Sequence, residues 1–124
     1  MAGPLTIKPL EWVASAKADL NAFPPAARRE AGFALFLAQT GERALKAKPL
    51  KGFGGAGVLE VVADHDGNAY RAVYTVKFAN AVYVLHAFQK KSTKNIATRK
   101  SDVELIHQRL KTALDHYSKF YGSK

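Results

Sequence analysis

Apolar positions change their period along this chain, and each change marks an element. Leu5 to Val13 carries alternating or bulky residues ending in Glu11-Trp12-Val13 and predicts a first strand. Ser15 stands where an N-cap would open a short helix through Asn21. Pro24 and Pro25 suit the first turn of a second helix. Its Ala-, Leu- and Phe-rich run from Ala26 to Thr40 stops at Gly41, a residue suited to the position just past a helix end. Periodicity then lapses from Glu42 to Gly57, a long connection that is basic in its middle (Arg43, Lys46, Lys48, Lys51) and glycine-rich at its end.

Period two takes over downstream. Val58 to Ala63, Ala69 to Phe78 and Ala81 to Phe88 are rich in Val, Tyr and Leu. Asp66-Gly67-Asn68 and Ala79-Asn80 separate them, which predicts an antiparallel meander. Alternation in the second strand sets Arg71 on one face with Val73 and Thr75, and Tyr70, Ala72, Tyr74 and Val76 on the other. Ser101 and Glu104 form a capping-box pattern, and Val103, Ile106, Leu110, Ala113, Leu114 and Tyr117 recur at helical spacing, so a last amphipathic helix packs on the sheet. Strand, two helices, three strands and a helix make an α+β layout, expected as one domain over residues 1–124.

Charge changes the picture most. The 19 Lys+Arg outnumber the 10 Asp+Glu for a net charge of +9, while a 48% hydrophobic share excludes a disordered basic tail. From Gly67 to Ser101 there are seven cations (Arg71, Lys77, Lys90, Lys91, Lys94, Arg99, Lys100) and no acid. A strand hairpin running into a lysine-rich loop puts such charges on one face and its rim, where a polyanion is attracted, and nucleic acid is the first partner expected. The absence of cysteine removes disulfide and thiolate chemistry. With no apolar run long enough to span a bilayer, and no signal-peptide core between Met1 and Pro9, a cytoplasmic location without membrane association is expected.

Other motifs have plainer explanations. Gly52 to Gly57 is followed by a strand and lacks the Lys-Ser/Thr of a nucleotide loop. Asp64-His65-Asp66 has ligand chemistry, yet it precedes Gly67 at a hairpin tip, where turn geometry alone favours Asp and Asn. His107 and His116 lie nine apart on the last helix and His86 sits inside an apolar strand, with no ligand spacing linking them. No metal or cofactor is expected.

Arg71 has two readings: a strand-fixed guanidinium suited to phosphate oxygens, or an ion-pair partner of Glu60 on the neighbouring strand. Lys90, Lys91 and Lys94 form either a solvated loop or a phosphate-binding cluster with Gln89, Ser92 and Thr93, in which one lysine's pKa is depressed by its neighbours. The aromatics Tyr70, Tyr74, Phe78, Tyr83 and Phe88 fit core positions better than stacking platforms.

Lys48-Pro-Leu-Lys-Gly, Val58-Leu-Glu-Val, Tyr70-Arg-Ala-Val-Tyr and Tyr83-Val-Leu-His-Ala-Phe-Gln-Lys-Lys-Ser, in this order, resemble the phage-derived branch of the RelE/HigB family of toxin-antitoxin toxins. The likeness runs from about Trp12 to the last helix. It implies a RelE-like fold, an antiparallel twisted sheet with two N-terminal helices on one side and a C-terminal helix. It also implies ribosome-dependent mRNA cleavage in the A site, by 2′-hydroxyl attack without a metal. The implied partners are mRNA on the ribosome, a helix-turn-helix antitoxin of HigA type, and operator DNA through that antitoxin.

By the same resemblance, Arg71 falls at the family's transition-state arginine and Lys90 near the group that assists the leaving oxygen. The expected catalytic set is Arg71, Lys90 and Lys91, and the RNA-binding set is Lys48, Lys51, Lys94 and Arg99. Some relatives carry a glutamate as general base in the basic loop. Lys48 stands in its place here, leaving Glu60 or a lysine of lowered pKa for that role. The alternatives are a ParE-like inhibitor of gyrase, or a non-catalytic member of the fold that binds only RNA or an antitoxin.

Overall fold

The computed structural model describes residues 6–91 and 98–122, with the backbone alone for Lys91. Its elements are β1 (Leu10–Trp12), α1 (Ala16–Asn21), α2 (Pro25–Gln39), β2 (Lys48–Pro49), β3 (Val58–His65), β4 (Asn68–Thr75), β5 (Val82–Lys91) and α3 (Lys100–Tyr121). The strands form one sheet in the order β1-β5-β4-β3-β2. The α+β layout is as expected, but the sheet is mixed rather than wholly antiparallel, because β1 pairs parallel with β5, Glu11 opposite Tyr83.

That first strand is shorter than the expected Leu5 to Val13, whose first residue lies outside the described residues. Lys8 bonds to the end of α2, its N–H to the Gln39 carbonyl at 2.9 Å and its own carbonyl to Gln39 Nε2 at 2.7 Å, and the chain first meets the sheet at Pro9, whose carbonyl accepts the Val82 N–H at 3.0 Å. The meander is antiparallel as expected, with other boundaries. β4 stops at Thr75 rather than Phe78. The Thr75 hydroxyl donates to the Ala56 carbonyl (2.8 Å) and accepts the Lys77 N–H (3.1 Å), while the Val76 N–H turns to Gly57 (3.0 Å).

Two helix ends differ from expectation in their chemistry. Ser15 holds the N-cap position of α1, but its hydroxyl donates to Asp19 Oδ2 at 2.7 Å and accepts no backbone N–H as a cap. The capping box at Ser101 and Glu104 does not form, because α3 begins earlier, at Lys100 with Arg99 at the N-cap and no side-chain cap. Around α2, Pro25 opens the helix as predicted, while Pro24, expected in the first turn, is the N-cap; past the end, Gly41 N–H bonds Ala38 and Glu42 N–H bonds Leu37.

Helices cover both faces. α2 buries Ala27, Ala31, Ala34 and Ala38, small residues that let its backbone lie close over Leu59, Val61, Ala72 and Tyr74, together with the larger Leu35, and α1 joins the same cluster through Ala16 and Leu20. On the other face α3 sets Ile106, Ala113 and Tyr117 against Val73, Phe78, Tyr83 and Leu85. Burying a side chain such as Ile106 completely stabilises the fold by about 1.5–3 kcal/mol.

Candidate functional site

The α3 face of the central strands carries the charged residues. Glu60 on β3 is in register with Lys48 on one side and Val73 on the other, so the basic connection holds a short edge strand, β2, that sequence periodicity does not reveal. Arg71, opposite Val62 and Phe88, shares that face. Its guanidinium is buried and meets Glu60: Arg71 Nη1 lies 3.0 Å from Oε1, with side-chain exposures of 6% and 12%. The ion-pair reading of Arg71 is therefore realised. Thr98, just ahead of α3, donates its hydroxyl to the other Glu60 oxygen at 2.8 Å, so both carboxylate oxygens are engaged.

Lys90 and Lys91 do not lie in a loop past the strand. β5 continues to Lys91, with Ala69 opposite Lys90 and Asn68 opposite Lys91, because β4 starts early enough to pair with them. Lys90 thus stands on a rigid ladder, two residues from Phe88 and on the Arg71 face. Lys94 lies outside the described residues, as does the side chain of Lys91. Lys51 lies past the Val58 end of β3, whereas Arg71 is opposite Val62, so the sheet does not bring those two together. Arg99, one residue from Thr98, is exposed at the rim.

A second charged cluster adjoins the first, and sequence reasoning misses it. Val73 pairs with His86 but Tyr74 with Val84, leaving Leu85 as a bulge in β5. Leu85 and His86 consequently both face α3. His86 Nε2 lies 3.1 Å from Asp102 Oδ1, and Asp102 Oδ2 takes Arg99 Nε at 3.3 Å. Arg109 Nη1 donates to the carbonyl of the bulged Leu85 (3.0 Å) and faces His86 Nδ1 (3.3 Å), while Nη2 reaches Ser15 Oγ (3.3 Å). A guanidinium only donates and a carboxylate only accepts, so a neutral ring with its proton on Nε2 satisfies both neighbours. Burial lowers the His86 pKa, the bond to Asp102 opposes that, and the Arg109 charge reinforces it. His86 also stacks on Phe88, centroids 4.5 Å apart, which joins this cluster to the Arg71 face.

The glycine-rich segment is an anchor and not a cradle: Phe53 is buried in the α3-side core and stacks on His107 at 4.0 Å. Asp64, His65 and Asp66 lead into a hairpin turn in which Asp66 and Gly67 both have positive φ (51° and 78°). Among the described residues, no group of three His, Cys, Asp or Glu side chains is placed to hold a metal. The aromatic core expectation stands for Tyr70, Tyr74, Phe78 and Tyr83, all buried. Among the described residues no helix is long and apolar enough to cross a membrane.

Chemically, the arrangement offers an anion the charges of Lys48, Lys90 and Arg99 around a buried Arg71–Glu60 pair. The acid-free window of the sequence is not acid-free in space, because Glu60 and Asp102 fold into it from either side. No curated protein and no solved structure matches the chain significantly. Residues 18–111 match the family described as phage derived protein Gp49-like, a family associated with RelE-like toxins, and the α+β architecture is consistent with a RelE-like fold. The match spans most of the chain, from α1 through half of α3, and the protein belongs to this Gp49-like, toxin-associated family.

Proposed function

We propose that the chain is the toxin of a toxin-antitoxin module: a metal-independent endoribonuclease that cleaves mRNA in the ribosomal A site, acts in the cytoplasm, and is held in check by a helix-turn-helix antitoxin of HigA type. Through that antitoxin it would also meet operator DNA. The observation that carries the reading is the strand-borne cationic face, with Arg71 and Lys90 on adjacent strands and Lys48 and Arg99 at its edges.

In the proposed reaction the RNA 2′-oxygen bonds to the adjacent phosphorus, the bond to the 5′-oxygen breaks, and a 2′,3′-cyclic phosphate and a 5′-hydroxyl result. The 2′-hydroxyl proton passes to a base, for which the Glu60 carboxylate lies nearest to Arg71. Lys90, supported by Lys91, protonates the leaving 5′-oxygen. Arg71 stabilises the extra negative charge of the phosphorane, the role for which a fixed guanidinium on a rigid strand is suited. Lys48, Lys51, Lys94 and Arg99 bind flanking phosphates. The internal nucleophile and fixed cations supply what the reaction requires, and alignment of the mRNA falls to the ribosome.

The test is induced expression with mapping of RNA 5′ ends. Growth arrest with new 5′-hydroxyl ends inside translated messages supports the reading. Arrest without cleavage but with inhibited gyrase turns it to the ParE-like alternative, and unaffected growth at high soluble expression removes it.

A further inference from the structure

Arg99 is a surface arginine one residue from Thr98, whose hydroxyl rests on Glu60. An exposed arginine normally samples many rotamers and meets phosphate only at the cost of ordering them. Here its Nε is tied to Asp102 Oδ2 at 3.3 Å, although the side chain remains 70% exposed. Because Nε takes the contact, Asp102 does not use the paired Nη groups, which are the ones that grip two phosphate oxygens at once.

Asp102 is an unusual residue to serve as the tether. It is the first buried position of α3, at 9% exposure, where an amphipathic helix would normally present an apolar side chain. A buried carboxylate that served only to hold one surface arginine would be costly. Its second oxygen, however, accepts the His86 Nε2 proton, and Arg109 fixes the other side of that ring while bonding the bulged Leu85 carbonyl. Each member is thereby oriented by the next, from the bulge in β5 to the guanidinium at the rim. The bulge makes this arrangement possible: in a regular strand His86 and Val84 would share a face, whereas here Val84 packs toward α2 and His86 meets Asp102 of α3.

We infer that Asp102, oriented by His86 and Arg109, is a positioning residue that holds Arg99 in place to receive an RNA phosphate beside the Glu60–Arg71 pair. The inference rests on the RNA reading of this face. Asp102 and His86 do not touch RNA themselves, and their effect on binding passes through Arg99.

A double-mutant cycle tests this, with the intact chain and a fluorescent single-stranded RNA of about ten nucleotides as the probe. Asp102→Asn keeps the shape but weakens the tether, and should reduce RNA affinity by about 3- to 10-fold, the scale of coupling between contacting residues. In an Arg99→Ala background the same change should have no further effect on affinity. His86→Gln places an amide N–H near the ring Nε2 position and should retain most of the affinity, whereas His86→Leu should lose as much as Asp102→Asn. Urea unfolding of each variant identifies any that is not folded under the binding conditions. An equal loss of affinity with and without Arg99, or no loss in folded Asp102→Asn and His86→Leu, overturns the positioning role. Wild-type chain that does not bind the RNA overturns the reading of the face itself, and the inference with it.

Discussion

Arg71 and Glu60 form a buried ion pair across β3 and β4 at 3.0 Å, and the register puts them diagonally, two positions apart on one face. A pair so buried costs stability when one partner is removed, because the other charge is stranded. Glu60 also takes the Thr98 hydroxyl, so the pair fastens the segment entering α3 to the sheet.

The first prediction separates structure from chemistry at this pair. Arg71→Ala and Glu60→Gln should each destabilise the fold, by up to about 3 kcal/mol in urea unfolding. In single-turnover cleavage on ribosomes, folded Arg71→Ala should be slower by about 100-fold or more, the scale of losing one preorganised charge stabiliser. Arg71→Lys should recover only part of the rate, since it keeps the charge but loses the planar fork. A destabilised but fully active Arg71→Ala would refute the catalytic assignment.

The second concerns pH. Burial, aided by the Arg109 charge, lowers the His86 pKa below the usual 6.5, with Asp102 and Asp19 opposing. The unfolded chain therefore takes up this proton near pH 6.5 while the folded chain still excludes it, so the unfolded state binds more protons in that window. The His86 contribution is complete above pH 6.5 and is lost as pH falls toward the folded pKa. Urea midpoints should drop between pH 7.5 and pH 5 more in wild type than in His86→Gln. Equal slopes in the two proteins would show that His86 is not the group responsible.

The third tests the tight approach of Gly57 to the exit of β4, the one such approach among the described glycines. Gly57 has φ +64°, and a Cβ there would sit 3.1 Å from the Lys77 backbone nitrogen. Gly57→Ala should cost about 1–2 kcal/mol, whereas Gly55→Ala, with nothing within 4 Å and an ordinary φ, should be close to neutral. Similar stabilities for the two variants would contradict the strain.

How much of this was legible depends on parity and reach. Alternation in the meander set Arg71 on the face of Val73, and Glu60 on the next strand was its natural partner. The bulge carried no such mark. Counting back from Phe88 by twos puts His86, Val84 and Val82 on its face, but the extra residue at Leu85 sends Val84 and Val82 to the α2 side and leaves His86 beside Leu85 on the α3 side. The link from His86 to Asp102 was therefore hidden, as was the two-residue β2, too short to have a period and broken by Pro49. Strand propensity fades after Phe88, so the sequence puts the lysines at the end of β5 in a loop, yet pairing with Ala69 and Asn68 carries the ladder to Lys91.

The last prediction concerns Lys48, which stands exposed at the sheet edge opposite Glu60. Its proposed role is that of a phosphate contact, and such a contact carries little base information. Each phosphate neutralised on a single strand contributes a slope of about −0.7 to the log-log dependence of affinity on salt. Lys48→Gln should therefore weaken binding to RNAs of different sequence by a similar factor and make the salt slope shallower by about 0.7. Lys51, on the far side of the β3 start from Arg71, is the informative comparison. If RNA follows the Arg71 end of the face, Lys51→Gln should alter the slope less than Lys48→Gln. A larger effect at Lys51 would mean that RNA crosses the opposite end of the sheet, away from Arg71, and would count against catalysis there.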